Sequence, residues 1–194
     1  MKKITLIGDS IRMGYEPTVR KELEGVADVW APESNCQHTV NVLLHFNEWV
    51  VLRKPDILHM GAGAWDVRNV LRGVPGNIVP LEAYRANVAR LLGLAKRFVN
   101  EKVIWATITP MNIAQNFETH APTGHPGRTE GDIELYNAAA VEECRAAGVE
   151  VNDLYAVVQA NHPNVIRSKD GVHYTPEGSV VLGKHVANVI RKHL

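Results

Sequence analysis

Residues 3–10, Lys3-Ile4-Thr5-Leu6-Ile7-Gly8-Asp9-Ser10, read as a strand that stops at a turn. An apolar, β-branched run of this length suits a central strand of a parallel sheet, buried on both faces. Glycine tolerates positive φ, and Asp and Ser side chains bond local backbone or cap a following helix, so Gly-Asp-Ser alone is ordinary turn chemistry. The pattern downstream gives the junction its weight. Short β-branched runs at Lys3–Ile7, Ala27–Ala31, Asp56–Met60, Val103–Ile108 and Val149–Val151 alternate with helix-period stretches at Pro17–Leu23, Val40–Arg53, Leu81–Val99, Asp132–Ala147, Asn152–Ala160 and Pro176–His193. In the third of these helices Tyr84, Val88, Leu91, Leu92 and Ala95 share one face. Strands alternating with long helices imply right-handed crossovers and a parallel sheet covered on both sides. Ligands of such sheets bind beyond the carboxyl ends of the strands, which is where Gly8-Asp9-Ser10 falls.

Bulk composition narrows the classes. The chain has 194 residues, 45% of them hydrophobic and 22% charged, enough for one domain spanning residues 1–194 with a substantial core. Lys plus Arg and Asp plus Glu both number 21, so no basic field exists to neutralise phosphates, and nucleic acid is not an expected partner. Lys2-Lys3 precedes an apolar run far too short for a signal peptide or a membrane span. The expectation is a cytoplasmic protein without a membrane partner. Cys36 and Cys144 are too few for a disulfide framework and read as reduced, buried thiols. The oligomeric state stays open, a homo-oligomer included.

A serine at the tip of the first strand becomes a nucleophile only with a base in hydrogen-bond reach and a partner that orients the base. Of nine histidines, His173 has a suitable companion: Asp170 lies three residues earlier in Ser168-Lys-Asp-Gly-Val-His173-Tyr-Thr-Pro-Glu-Gly178, a loop feeding the last helix. That spacing lets a carboxylate accept from one imidazole nitrogen while the other faces outward.

With Gly8-Asp9-Ser10 near one end, Asp170-x-x-His173 near the other and five strands between, the whole chain resembles the GDSL, or SGNH, hydrolase family of esterases and lipases. The resemblance implies a three-layer α/β/α sandwich with a five-stranded parallel sheet of flavodoxin-like order, and metal-free ester hydrolysis with no cofactor. It implies Ser10 as nucleophile, His173 as general base and then acid, and Asp170 as the group that holds the imidazole. The oxyanion blocks depart from the family pattern. Cys36, in Glu33-Ser34-Asn35-Cys36-Gln37-His38-Thr39, stands where a glycine donates its backbone N–H, and that amide survives the change. In Gly61-Ala62-Gly63-Ala64-Trp65-Asp66, Trp65 replaces the Asn whose side chain is the remaining donor; an indole N–H can substitute, or Trp65 is an apolar wall. The expected oxyanion and substrate contacts are therefore Cys36, Gly63 and Trp65, with Asp9 and Arg12 flanking the nucleophile. Arg12 and Arg128 are either substrate contacts or surface and capping residues.

Two other patterns carry less. Gly178-x4-Gly183-Lys184-His185 imitates a phosphate loop but lies inside a helix with no preceding strand. The Pro/Gly-rich segment 110–131 is too long for a connector, contains His120 and His125 without a carboxylate to complete a metal set, and lacks the large apolar residues of a lipid-surface lid. The reading that results is a serine esterase acting on a short acyl group, acetyl on a carbohydrate or similar small soluble ester. Acyl transfer or thioester cleavage by the same triad, and a weakened fold that only binds a ligand, are the rival readings.

Overall fold

The computed structural model describes residues 1–162 and 167–194. All five expected strands form: β1 (Lys2–Ile7), β2 (Ala27–Trp30), β3 (Ile57–Met60), β6 (Lys102–Ala106) and β7 (Glu150–Asn152). They pair in parallel in the order β2-β1-β3-β6-β7, the flavodoxin-like order, with Ile4 opposite both Val29 and Ile57. Side chains alternate between two cores. Leu58, Met60, Val103 and Trp105 face the core shared with helices α2 (Thr39–Phe46), α3 (Leu81–Phe98) and α5 (Asp132–Ala147). Ile4, Leu6, Ile57 and Ile104 face the core shared with α1 (Ser10–Glu22), α6 (Leu154–Ala160) and the last helix, α7 (Pro176–Arg191). None of the described helices is long and apolar enough to cross a membrane.

The main boundary differences from the sequence expectation lie at the start of α1 and the end of α2. Helix α1 begins at Ser10 rather than Pro17, because the Asp9 side chain caps it by accepting from the Ile11 N–H at 2.9 Å. Pro17 sits inside the helix and leaves the carbonyl of Met13 without its usual donor, a loss that solvent offsets because Met13 is exposed. Helix α2 widens into a π turn at Asn47–Val51. Two elements were not expected at all: the hairpin β4 (Asn69–Leu71) and β5 (Val74–Asn77), and helix α4 (Ile113–Thr119) within the long loop. Pro75 argues against a strand from sequence alone, and α4 turns the polar Asn116 inward instead of an apolar stripe.

The imitation phosphate loop has a packing role. A Cβ at Gly183 would lie 2.5 Å from Thr18 Cβ, so the glycine permits the close approach of α7 to α1. That contact fixes where the loop before α7 meets the start of α1.

Candidate active site

Ser10 is the first residue of α1, immediately beyond the carboxyl end of β1. Its N–H has no partner among the described residues, and the helix axis directs positive partial charge toward any anion forming there. His173 reaches it from 163 positions away: Nε2 lies 2.8 Å from Ser10 Oγ. The other imidazole nitrogen, Nδ1, donates to Asp170 Oδ2 at 2.5 Å, which fixes the tautomer and leaves Nε2 free to accept the Ser10 proton. Asp170 Oδ1 accepts from Ser168 Oγ at 2.7 Å and from the Val172 and His173 backbone N–H groups at 2.9 Å. Partial burial pushes the Asp170 carboxyl up, but the bonds from His173, Val172 and Ser168 outweigh it and hold the group well below the usual carboxylate range. Asp170 is thus charged at neutral pH. This is the geometry of a base-activated nucleophile.

The loop that carries the pair is closed by Ser168 N–H donating to His173 O at 2.8 Å, and it turns at Gly171, whose φ is +79°. A Cβ at Gly171 would come within 2.6 Å of Asn112 O, so only glycine fits. Helix α4 supports the same loop: Asn112 N–H donates to Gly171 O at 2.8 Å and Asn116 Nδ2 to Asp170 O at 3.1 Å.

Ser10 and His173 open onto a cleft of about 360 Å³ shared with Asp9, Asn35, Trp65, Arg68, Asn116, His120, His125 and Arg128. Trp65 is half-buried on its wall with the Arg68 guanidinium 4.5 Å above its ring. Asp9 combines its capping role with a place on the cleft wall. Burial raises its carboxyl above the usual value, opposed first by the Ile11 N–H and then by Arg128, His173 and Arg12.

Other expected contacts lie elsewhere. Cys36 is fully buried, and its N–H is spent on Gly8 O at 3.2 Å, so neither its thiol nor its amide faces the cleft. Arg12 is 2% exposed and points behind the nucleophile, where it pairs with Glu16 and donates to Ser34 O at 2.9 Å. It ties the 34–36 loop to α1 and does not line the cleft. Gly63 shapes the turn behind the cleft: its φ is +143°, and a Cβ there would meet Ile108 Cδ1 at 2.4 Å. His120 and His125 do come together, with ring centroids 5.2 Å apart. Among the described residues no third His, Cys, Asp or Glu joins them to form a metal-sized cluster.

Four cleft residues escaped the motif reading. Arg68 and Asn116 belong to no motif, Asn35 lies in the second block but was given no role, and Arg128 was left between substrate contact and surface. Asn35 stood in plain view one residue before Cys36: its Oδ1 accepts from Gln37 N–H at 2.8 Å, its Nδ2 has no partner among the described residues, and the residue lines the cleft.

Asp66, next to Trp65, is fully buried and accepts from Thr39 N–H at 3.1 Å and Thr39 Oγ1 at 2.5 Å. Burial pushes its carboxyl up to about 6, against the Thr39 bonds that pull it down. The folded state therefore holds this proton more tightly than the unfolded chain. The stabilisation is complete below the ordinary Asp pKa and is lost as pH rises toward 6. Asp66→Asn should accordingly gain on the wild type by about 2 kcal/mol between pH 4 and pH 7, measured as the pH dependence of the difference in unfolding free energy. A difference that stays flat across that range would contradict the assignment.

The comparisons agree with this geometry. A family model for GDSL-like lipase/acylhydrolase matches residues 4–186. A GDSL esterase/lipase of Arabidopsis thaliana is 27% identical over 120 residues, which cover 60% of this chain and 47% of that protein, so the match spans about half the length of the relative. A lipase/acylhydrolase from Enterococcus faecalis superposes with a TM-score of 0.81 at 23% identity, covering 100% of this chain and 97% of the other. An acetylxylan esterase from Geobacillus stearothermophilus superposes with a TM-score of 0.74 at 18% identity, covering 97% and 94%. At these identities the two superpositions establish the fold. The family match over nearly the whole length adds the lineage: the chain belongs to the GDSL-like lipase/acylhydrolase family, a family of ester hydrolases.

Proposed function

We propose that this protein hydrolyses short-acyl esters of small soluble molecules, acetylated carbohydrates foremost, through an acyl-Ser10 intermediate. The observation that carries the reading is the unbroken hydrogen-bonded line from Ser10 Oγ through His173 to Asp170 at the carboxyl edge of the sheet. Ser10 Oγ attacks the ester carbonyl while His173 Nε2 takes its proton. Asp170 stabilises the resulting imidazolium, and His173 returns the proton to the leaving alcohol. Water activated by the same imidazole then cleaves the acyl-serine. The negative oxygen that forms in each step is met by the Ser10 N–H and, in place of the amide expected from Cys36, by Asn35 Nδ2, both of which lack partners among the described residues and line one cleft. Such preorganised donors commonly supply the largest share of catalysis in acyl transfer.

Two features favour a small polar ester. Asn35, Arg68, Asn116 and Arg128 bring hydrogen-bonding groups to a cleft that Ile11, Ala64 and Val172 also line, and those groups suit a sugar hydroxyl. The Geobacillus neighbour is described as an acetylxylan esterase. Release of p-nitrophenol from the acetate, butyrate and octanoate esters tests the reading. Acetate is expected to exceed octanoate in kcat/KM by roughly tenfold or more, with the activity abolished when a fluorophosphonate labels Ser10. Octanoate turned over as fast as acetate would rule out short-acyl selectivity. A folded protein that neither labels nor turns over any ester would be a binding module.

A further inference from the structure

The cleft beside Ser10 carries more positive charge than ester hydrolysis requires. Arg68 and Arg128 oppose each other across an antiparallel β-bridge, held by Asn69 N–H donating to Gly127 O at 3.0 Å. Opposed residues of such a bridge place their side chains on one face, and like charges so placed repel. Among the described residues, no carboxylate pairs with either guanidinium. Arg128 is buried and fixed: Nε and one terminal nitrogen donate to Ala64 O at 3.1 and 2.9 Å, and the other donates to Asn116 Oδ1 at 3.1 Å. Arg68 is the open member. Its guanidinium carbon lies 4.5 Å from the Trp65 ring centroid, the group finds no acceptor among the described residues, and its Nε is shut off from solvent.

The remaining ionisable groups do not cancel this charge. Asp170 is committed to His173, Ser168 and two backbone amides. Asp9 is committed to capping α1, where it accepts from the Ile11 N–H at 2.9 Å. Partial burial, followed by the fields of Arg68 and Arg128, pushes His125 down to about 4, so it is neutral, and the His120 ring lies tilted beside it. A shielded guanidinium donor without an acceptor costs stability, and an opposing arginine adds to that cost. Both costs are relieved by an incoming anion.

On the reading of Ser10 as an ester-hydrolase nucleophile, we propose that the natural substrate is an ester bearing an oxyanion, carboxylate or phosphate, gripped by the open edge of Arg68 with Arg128 behind it. Guanidinium forks bind both anions through two parallel N–H···O bonds. Trp65 then has a function of its own: standing where the family motif has Asn, it is the aromatic surface against which Arg68 rests beside the cleft.

The test compares three monoacetylated sugars as substrates of the full chain: methyl glucoside, methyl glucuronide and glucose 6-phosphate. At least one anionic sugar is expected to exceed the neutral one in kcat/KM by about tenfold or more, and the ratio should collapse toward one in Arg68→Gln. A preference for the glucuronide identifies carboxylate; a preference for the phosphate sugar identifies phosphate. Because Arg68→Gln could fold poorly, the wild type is also assayed for inhibition of p-nitrophenyl acetate hydrolysis by glucuronate and inorganic phosphate against glucose, with inhibition by an anion alone expected. Equal rates on all three sugars, a preference that survives Arg68→Gln, or equal inhibition by glucose would overturn the proposal while leaving neutral-ester turnover and fluorophosphonate labelling intact. Loss of both turnover and labelling in the wild type would instead bring down the nucleophile assignment, and this proposal with it.

Discussion

Ser10→Ala is expected to lower kcat for p-nitrophenyl acetate by roughly 10⁴-fold or more, leaving only what the oxyanion donors and binding contribute. The prediction is sharp because the substitution removes the nucleophilic oxygen and little else. Asp9, not Ser10, caps α1, and the cap bond runs to Ile11 N–H. Stability should therefore change by less than about 0.5 kcal/mol, so any loss of rate is chemical. The variant should also fail to take up a fluorophosphonate. Retention of more than a small fraction of wild-type kcat, at unchanged melting temperature, would show that another group attacks the carbonyl.

The second large effect is on stability. Gly63→Ala combines two faults at one position: a φ of +143°, which side chains rarely adopt, and a Cβ placed 2.4 Å from Ile108 Cδ1, 2.7 Å from Ile108 Cγ1 and 3.1 Å from Tyr84 Oη. Ile108 and Tyr84 are both buried, and the Tyr84 hydroxyl is held by Ala62 O at 2.9 Å, so neither neighbour yields freely. Backbone strain and overpacking each cost about 1–3 kcal/mol, so a combined loss of about 4 kcal/mol is expected. Urea titration reads it as a lower midpoint at unchanged slope. Activity should fall with it, because Gly63 leads directly into Ala64, whose carbonyl holds Arg128, and into Trp65 on the cleft wall. A midpoint within error of the wild type would mean that the turn relaxes around a methyl group, and that Gly63 is not required for the shape of the cleft.

The sheet was legible because each strand announces itself locally: Ile4 to Ile7, Ile57 to Met60 and Val103 to Ala106 are short apolar runs that long amphipathic helices separate. Ser10, Asp170 and His173 were legible because turn chemistry and a three-residue spacing carry the pattern. The rest of the cleft was not, since its residues are placed by contacts between distant segments. Arg68 and Arg128 become neighbours through one backbone bridge, and nothing near either in sequence announces it. Asn116 sits in a short helix without an apolar stripe, yet it joins Arg128 to the backbone of Asp170. The motif carried Cys36 into the site by analogy, and nearness to Ser10 in sequence offered Arg12. In the structure Cys36 N–H is spent on Gly8 O, and Arg12 braces the loop from behind.

The union of Ser10 with a base 163 residues away also bears on when this protein becomes an enzyme. Closing so long a loop is entropically slow to reward, and contacts of high sequence separation form late in folding. Helix α7, whose docking on α1 through Gly183 and Thr18 delivers His173, is the last helix of the chain. During synthesis the serine leaves the ribosome as an ordinary alcohol and stays one while all five sheet strands are translated. On the proposed roles of Ser10 and His173, catalytic competence arrives with the docking of α7, and a chain stalled before that point lacks the base for its nucleophile.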